Sequence, residues 1–213
     1  MRFIADLHVH SHYSRATSTG CTLTGWHAWA QRKGVTVVGT GDATHPGWLA
    51  ELQRDLVPAA NGLYALRREL AVAADATVPP ACRRPAFFLP TAEIACICRR
   101  GGRSHRVHLL VLLPTLAGAC RLAERLARWG NTAADGRPML VVDPADRPEL
   151  ARDCEPDAVV IQAHIWTPWY AMLGAKSGFA SPEECFGRAA PLVPAVETGL
   201  SSDPPMNRRV AAL

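Results

Sequence analysis

The sequence predicts an α/β fold in which parallel strands alternate with helices, either as a barrel or as a doubly wound sheet. A chain of 213 residues with 48% hydrophobic and 20% charged residues has the composition of a soluble globular protein with one substantial core. A β-branched strand over residues 35–40 follows a helix over residues 24–32, and an apolar strand precedes both, which makes a βαβ unit. The same alternation continues to the end of the chain.

The remaining elements follow from capping, periodicity and turn residues. Thr24 is the expected N-cap of the first helix and Gly34 its terminator, while Gly101-Gly102 predicts a turn between two strands. Residues 75–85 are rich in helix and strand breakers and predict a loop. The predicted strands cover residues 1–7, 35–40, 87–98, 107–113, 139–142, 158–163 and 192–197. The predicted helices cover residues 24–32, 46–56, 62–74, 116–129, 145–153, 182–188 and 205–213.

Composition limits the compartment and the classes of partner. Seven cysteines, an odd number without Cys-x-x-Cys spacing, indicate reduced thiols rather than a disulfide framework or a zinc ribbon. The sequence has neither a signal-like start nor an apolar stretch long enough to span a bilayer, so we expect a cytoplasmic protein without membrane contact. A net charge of +4 permits a polyanionic partner without establishing one.

Asp6, His8 and His10 alternate at the end of the first predicted strand, so their side chains project from one face. Parallel α/β folds place their chemistry at the carboxyl ends of strands. Two imidazoles and a carboxylate at such an end indicate a metal centre. An isolated His-x-His pair also occurs by chance on surface strands, so the rest of the sequence has to decide between the two interpretations.

Other potential metal ligands also fall at predicted strand ends. Asp42 and His45 follow the second strand, Glu93 and His108 lie in the next two, and His164 ends the strand over residues 158–163. Each has an ordinary alternative as a hydrogen-bonded structural histidine, a surface acid or a helix cap. Together they predict a mixed imidazole and carboxylate site, which suits zinc, manganese or iron better than calcium.

The segment Asp-Leu-His-Val-His-Ser-x-Tyr-Ser over residues 6–14 resembles the first motif of the polymerase and histidinol phosphatase (PHP) superfamily of metal-dependent phosphoesterases. Four further segments, residues 39–46, 163–169, 174–179 and 197–207, are similar to the endonuclease Q branch of that superfamily. The resemblance implies a distorted (βα)7 barrel over residues 1–213, with two to three zinc, manganese or magnesium ions at the strand ends. It also implies cleavage of DNA on the 5′ side of deaminated bases, such as uracil and hypoxanthine, or at abasic sites.

Each candidate residue has a predicted role. The implied metal ligands, which would also be the catalytic residues by activating a water for attack on phosphorus, are His8, His10, Asp42, Glu93, His108 and His164. Asp6 would orient a ligand histidine, and His45 would donate a proton or touch substrate. Trp166, Trp169 and Lys176, in the aromatic segment over residues 165–179, would contact DNA, or the tryptophans would simply pack this segment onto the fold.

The sequence departs from the family at its end. The family continues beyond the segment that matches residues 207–213 into a strand with an Asn-Ser-Asp-Ala-His motif, a cysteine-rich zinc region and a helical part. We therefore expect an incomplete barrel with an open strand edge, prone to self-association and to weak metal binding, and with most activity lost. Three hypotheses stay open: a lesion-specific DNA endonuclease, a small-molecule phosphoesterase, and an inactive remnant or binding module.

Overall fold

A computed structural model describes residues 2–15, 17–199 and 203–208 of this chain. The contacts divide the chain into two compact units. The first unit contains Met1–Ala92 and Leu112–Pro138, and the second contains Glu93–Val111 and Met139–Leu213. Each unit contains one five-stranded sheet, so the predicted α/β class is confirmed.

The elements are numbered in chain order. The strands are β1 Ala5–Asp6, β2 Val37–Gly39, β3 Leu56–Pro58, β4 Tyr64–Leu66, β5 Phe87–Leu89, β6 Thr91–Arg100, β7 Arg103–Leu112, β8 Met139–Val141, β9 Val159–Gln162 and β10 Ala195–Val196. The helices are α1 Leu23–Lys33, α2 Pro46–Asp55, α3 Arg68–Asp75, α4 Leu116–Leu126, α5 Arg147–Cys154, α6 Pro182–Phe186 and α7 Asp203–Asn207. Short 3₁₀ segments cover Pro80–Cys82, Pro144–Asp146 and Gly187–Leu192.

The sheet of the first unit has the strand order β1-β2-β5-β4-β3. Its first three strands run parallel, while β4 is antiparallel to both β5 and β3. The sheet of the second unit has the order β10-β9-β7-β6-β8, with β10 parallel to β9 and β6 parallel to β8. Both sheets are mixed, and the described strands do not close into the barrel that the resemblance implied.

Local sequence signals explain most helix boundaries. The Thr22 hydroxyl, rather than the predicted Thr24, caps α1 by accepting from the Gly25 N–H, and Gly34 ends the helix at φ +74° as predicted. Thr115 caps α4 in the same way, and Pro46 occupies the first turn of α2, where a missing N–H costs nothing.

Two predicted elements are wrong in informative ways. The strand over residues 87–98 is two strands in two sheets, because Pro90 has no N–H to continue a ladder and interrupts the pairing. The helix over residues 62–74 begins only at Arg68, since β3 and β4 form a hairpin around Gly62 at φ +79°. The predicted C-terminal helix begins at Asp203, and its residues beyond 208 lie outside the described part of the chain.

The core of the first unit positions the turn that follows β2. Trp48 is fully buried on α2, and its indole N–H donates to the carbonyl oxygens of Thr40 (3.0 Å) and Gly41 (2.9 Å). The Thr91 hydroxyl accepts from the Gly41 N–H at 2.8 Å, so the turn is held from two sides. The protein's own buried hydrogen bonds therefore fix the conformation of this turn.

All seven cysteines are free thiols, as the sequence predicts. Burial raises the pKa of the Cys96 thiol to about 12, because the thiolate has no solvent around it. Among the described residues, no helix combines the length and apolar character that crossing a membrane requires.

We expect Gly41→Ala to lower the free energy of unfolding by about 3 kcal/mol or more. Gly41 has φ +54°, and an added Cβ would lie 2.0 Å from the Val9 carbonyl oxygen. Gly62→Ala is the matched control, because Gly62 also has positive φ but has nothing within 4 Å of the added Cβ, so it should cost about 1 kcal/mol. Urea denaturation of both variants measures the difference, and equal losses would show that the close approach to Val9 is unimportant.

Candidate metal centres

His8 and His10 lie just after β1, where the alternation of the strand was predicted to place them together. Their rings meet edge to face with centroids 5.6 Å apart, and both side chains are half-buried. They line a cavity of about 440 Å³ together with Asp6, Trp26 and Trp29. The pair is therefore accessible to a small ligand or ion from this cavity.

Asp42 supports this pair from the turn after β2. Its backbone has φ +49°, which follows the positive φ of Gly41, and its side chain is fully buried. One carboxylate oxygen, Oδ2, accepts three hydrogen bonds, from the Ser11 N–H (2.7 Å), the Ser11 hydroxyl (2.7 Å) and the Ser14 hydroxyl (3.0 Å). The other oxygen, Oδ1, lies 2.9 Å from Nδ1 of His10. The buried charge is thus surrounded by donors.

The Asp42 carboxylate defines the protonation of His10. A carboxylate only accepts, so Nδ1 of His10 is the donor and Nε2 of the neutral ring keeps its lone pair. Carboxylates behind ligand histidines act in this way in many metal sites. Asp6, the residue predicted to orient a ligand histidine, is exposed on β1, and Asp42 is predicted as a direct ligand. The geometry gives Asp42 the orienting contact.

The second unit brings Glu93, His108 and His164 into one cluster. Glu93 lies on β6, His108 on the neighbouring β7, and His164 after the end of β9. Oε1 of Glu93 is 2.7 Å from Nδ1 of His108 and 3.2 Å from Nε2 of His164, and the two nitrogens are 3.1 Å apart. Glu93 and His108 are buried, and His164 is half-buried at φ +30°.

The hydroxyl of Thr167 contacts the ring nitrogen of His164 that faces away from this cluster. Its hydroxyl oxygen lies 2.7 Å from Nδ1 of His164 and donates its own proton to the carbonyl of Trp169 at 2.9 Å. A hydroxyl that donates to a carbonyl can accept from Nδ1 of His164, and in that tautomer Nε2 presents a lone pair to the cluster, as metal binding requires. The backbone N–H of His164 donates to the Glu197 carboxylate at 2.6 Å, which fixes the residue from the other side.

The Glu93 cluster fits a divalent metal ion. Ligand atoms of a tetrahedral zinc ion, each about 2.1 Å from the metal, lie about 3.4 Å from one another. The three ligand atoms of this cluster lie close together and need only a small separation to reach that spacing. Two imidazole nitrogens and one carboxylate oxygen suit zinc, manganese or iron. The residues present therefore fit the metal that the sequence predicts.

His45 has a structural position in the first unit. Its Nδ1 accepts from the Trp48 N–H at the start of α2, and its Nε2 lies 3.2 Å from the Ala133 carbonyl oxygen. The Tyr13 ring packs against the His45 ring, tilted by 31° with ring centroids 4.3 Å apart, and its hydroxyl donates a hydrogen bond to the Glu51 carboxylate at 2.9 Å. The hydrogen bond to Glu51, with burial, raises the pKa of the Tyr13 phenol, so it remains a neutral donor. These contacts are those of a hydrogen-bonded structural histidine, the ordinary alternative for His45, and they also make it the N-cap of α2.

The aromatic segment over residues 165–179 is ordered by its own hydrogen bonds. Trp166 donates its indole N–H to Asn207 at 2.7 Å, which agrees with the packing alternative. Trp169 is 51% exposed, and the Arg106 guanidinium lies 5.5 Å from its ring centroid. Lys176 is also exposed, and its backbone N–H donates to the Pro168 carbonyl. Exposed aromatic and cationic side chains thus occur together in this segment.

Of the predicted ligands, His8, His10 and Asp42 lie in the first unit, and Glu93, His108 and His164 lie in the second. Sequence reasoning missed the supporting residues Ser11, Ser14, Thr167, Arg106 and Glu197, although all but Arg106 lie within the motif segments. Small hydroxyl residues in a motif have no distinctive spacing, so only their position beside a ligand would have indicated a role.

Comparison with known proteins identifies the fold. No family model matches the chain. An uncharacterized protein from Methanocaldococcus jannaschii, MJ0043, is 28% identical over 149 residues, which cover 70% of this chain and 14% of that protein. The crystal structure of the lesion-specific endonuclease PfuEndoQ from Pyrococcus furiosus matches with a TM-score of 0.64 and 27% identity. Endonuclease Q in complex with a 27-mer duplex substrate, with an abasic lesion at the active site, matches with a TM-score of 0.66 and 29% identity.

The chain has an endonuclease Q-like fold. Each structural match covers 86% of this chain, so the similarity includes most of both units. The chain spans 39% of the length of those endonuclease chains and 14% of the curated relative. The likeness to endonuclease Q that the segments over residues 39–46, 163–169, 174–179 and 197–207 predict is therefore confirmed, whereas the (βα)7 barrel is not.

We expect Thr167→Val to weaken zinc binding by about 10- to 100-fold, because Nδ1 of His164 loses the partner that sets its protonation. Isothermal titration calorimetry with zinc measures the affinity, and circular dichroism checks the fold. Thr77→Val is the matched control, since its hydroxyl donates to the Ala74 carbonyl near the end of α3. Unchanged zinc affinity in a folded Thr167→Val protein would contradict the role of the Thr167 hydroxyl.

Proposed function

We propose that this chain is the metal-binding part of a DNA-repair nuclease that hydrolyses DNA on the 5′ side of deaminated bases or at abasic sites. The observation that supports this most strongly is the cluster of Glu93, His108 and His164 in a chain whose fold is similar to endonuclease Q. The similar endonuclease structure was determined with a DNA duplex that carries an abasic lesion. Metal-dependent hydrolysis of a phosphodiester is the reaction that suits both the metal ligands and a DNA substrate.

The chain's own residues hold and orient the metal in this proposal. Glu93, His108 and His164 provide three ligand atoms in the second unit, and His8 and His10 provide imidazoles in the first. Asp42 and Thr167 hold the protonated nitrogens of His10 and His164, so that the opposite nitrogens present lone pairs. A divalent ion bound by such ligands supplies Lewis-acid stabilisation of charge on the phosphoryl oxygens.

DNA would contact the exposed part of the segment over residues 165–179. An exposed tryptophan offers a surface on which an unstacked base can stack, and arginine beside it adds positive charge near the phosphates. Trp169 and Arg106 have this arrangement, and Lys176 adds a second exposed cation. Because phosphate contacts release counterions, we expect DNA affinity to fall steeply as salt concentration rises.

Since most activity is expected to be lost, we expect the purified chain, reconstituted with manganese or zinc, to show at most slow residual nicking, which is faster on duplexes that contain uracil, hypoxanthine or an abasic site than on undamaged duplex. Glu93→Gln should reduce the nicking rate by about 100-fold or more, because the carboxylate ligand is lost. Glu69→Gln, on the exposed surface of α3, is the matched control. The number of metal ions bound per chain, measured on the same samples, shows whether a lower nicking rate is caused by a loss of bound metal.

The two other functional classes give different results in the same assays. A small-molecule phosphoesterase would turn over a chromogenic phosphate ester with little dependence on salt and would not discriminate damaged DNA. An inactive remnant would bind less than one metal per chain even after reconstitution. Either result would reject the endonuclease proposal for this chain.

We expect Trp169→Ala to weaken binding to abasic duplex by about 10-fold, which corresponds to loss of one stacked base. Trp129→Ala is the control, since Trp129 is also partly exposed. Fluorescence anisotropy with metal present and chelator-free buffer measures both affinities. A folded Trp169→Ala protein with unchanged DNA affinity would leave Trp169 without a role in DNA binding.

A further inference from the structure

Tyr170 has a backbone conformation that is unusual for its side chain. Its φ is +61°, in the left-handed region that bulky L residues seldom occupy. Among the described residues, two other non-glycine residues have positive φ, Asp42 and His164, and both lie at the candidate metal centres. Strained residues cluster at functional sites and persist only where their surroundings hold them. The contacts of Tyr170 therefore show what its conformation achieves.

Hydrogen bonds to β7 hold the backbone of Tyr170. Its carbonyl oxygen accepts from the N–H of His108 at 2.8 Å. Its own N–H donates to the Ser177 hydroxyl at 3.0 Å, and that hydroxyl donates to the Arg106 carbonyl at 3.2 Å. Ser177 is buried, so these hydrogen bonds are shielded from water. The backbone of Tyr170 is thereby attached to His108 itself, which is a predicted metal ligand.

The ring of Tyr170 packs on the imidazole of His108. The two ring centroids are 4.4 Å apart and the planes are tilted by 37°. His164 meets the same imidazole edge to face, with centroids 5.1 Å apart. The Arg106 guanidinium lies 5.7 Å from the Tyr170 centroid, and Arg106 and His108 share one face of β7 because residues alternate along a strand. The His108 ring thus has aromatic neighbours that limit its rotation.

The rotation of the His108 imidazole decides whether a nitrogen or a carbon faces the cluster. The torsion about Cβ–Cγ of histidine is broad and roughly two-fold, so it does not fix the ring by itself. Nδ1 of His108 lies 2.7 Å from Oε1 of Glu93 and 3.1 Å from Nε2 of His164. A half-turn of the ring would put the Cδ2 carbon in the place of Nδ1. A close-packed ring on the imidazole opposes this rotation.

We propose that Tyr170 is a positioning residue, whose left-handed backbone places an aromatic ring against His108 and keeps Nδ1 of that imidazole directed at the metal. This inference rests on the metal centre of the proposed function. The aromatic ring rather than the phenol hydroxyl has this role, because the contact is between the two rings. The strain at Tyr170 is the consequence of holding a large ring where its own backbone is bonded to His108.

Two substitutions separate the ring from the backbone. Tyr170→Asn removes the ring but introduces a residue that tolerates the left-handed conformation, whereas Tyr170→Phe removes only the hydroxyl. Tyr170→Asn should weaken cobalt(II) binding by about 10-fold and change the visible d–d absorption of the bound ion, because one imidazole is no longer oriented. Tyr170→Phe should match the wild-type chain in both. Calorimetry measures the affinity, absorption spectroscopy reports the coordination, and circular dichroism checks the fold.

Phe179→Leu is the matched control for removing an aromatic ring. Phe179 stacks on His105 with centroids 3.9 Å apart, and His105 is a β7 histidine of the second unit that is not a predicted ligand. The cobalt affinity and spectrum of Phe179→Leu should therefore be those of the wild-type chain. A folded Tyr170→Asn protein with wild-type affinity and spectrum would overturn the proposal. A Tyr170→Phe protein as impaired as Tyr170→Asn would overturn it as well.

Nuclear magnetic resonance of the wild-type chain gives a second test that does not depend on the folding of Tyr170→Asn. Zinc binding should shift the ring signals of Tyr170, assigned by comparison with Tyr170→Phe, and signals that stay unshifted at zinc saturation would overturn the proposal. A wild-type chain that binds no cobalt would reject the metal centre and this role together. The expected cobalt results in a chain that does not nick DNA would support the role of Tyr170 while rejecting the proposed nuclease.

Discussion

The buried charge of Asp42 is the constraint on which the first unit depends most. A carboxylate without water must be surrounded by donors, and here those donors come from the loop that contains the His-x-His motif. The left-handed backbone at Gly41 and Asp42 directs the carboxylate toward that loop. Gly136 has to lack a side chain, since a Cβ there would lie 2.2 Å from Oδ2 of Asp42. One charge therefore fixes the motif loop, the turn after β2 and a distant segment.

The two histidine groups follow the same chemical principle with different partners. In each group a protein acceptor holds one ring nitrogen in its protonated form, so the opposite nitrogen is left as a ligand. A carboxylate does this for His10, and a threonine hydroxyl does it for His164. The partner of His10 is a negatively charged carboxylate, whereas the hydroxyl beside His164 is neutral.

The sequence predicts the parts of this architecture that depend on periodicity and fails where single contacts decide. The alternation in residues 6–10 and the position of His164 after the end of β9 follow from strand geometry, and the structure places them accordingly. The hairpin at residues 56–66 was missed because its leucines also match a helical stripe. The donors to Asp42 come from a segment that is distant in sequence, and the Thr167 hydroxyl reaches His164 through a local turn. Neither kind of contact leaves a periodic signal in the sequence.

The buried thiols have a practical consequence. With a pKa of about 12 for Cys96, roughly one molecule in 10⁵ carries the thiolate at neutral pH, and burial shields the sulfur from reagents as well. Cys154 and Cys185 are also buried. All three lie in the second unit, which also holds Glu93. Alkylation of these sulfurs would therefore proceed only when that unit opens. The labelling rates of the three cysteines therefore measure how often the second unit unfolds locally.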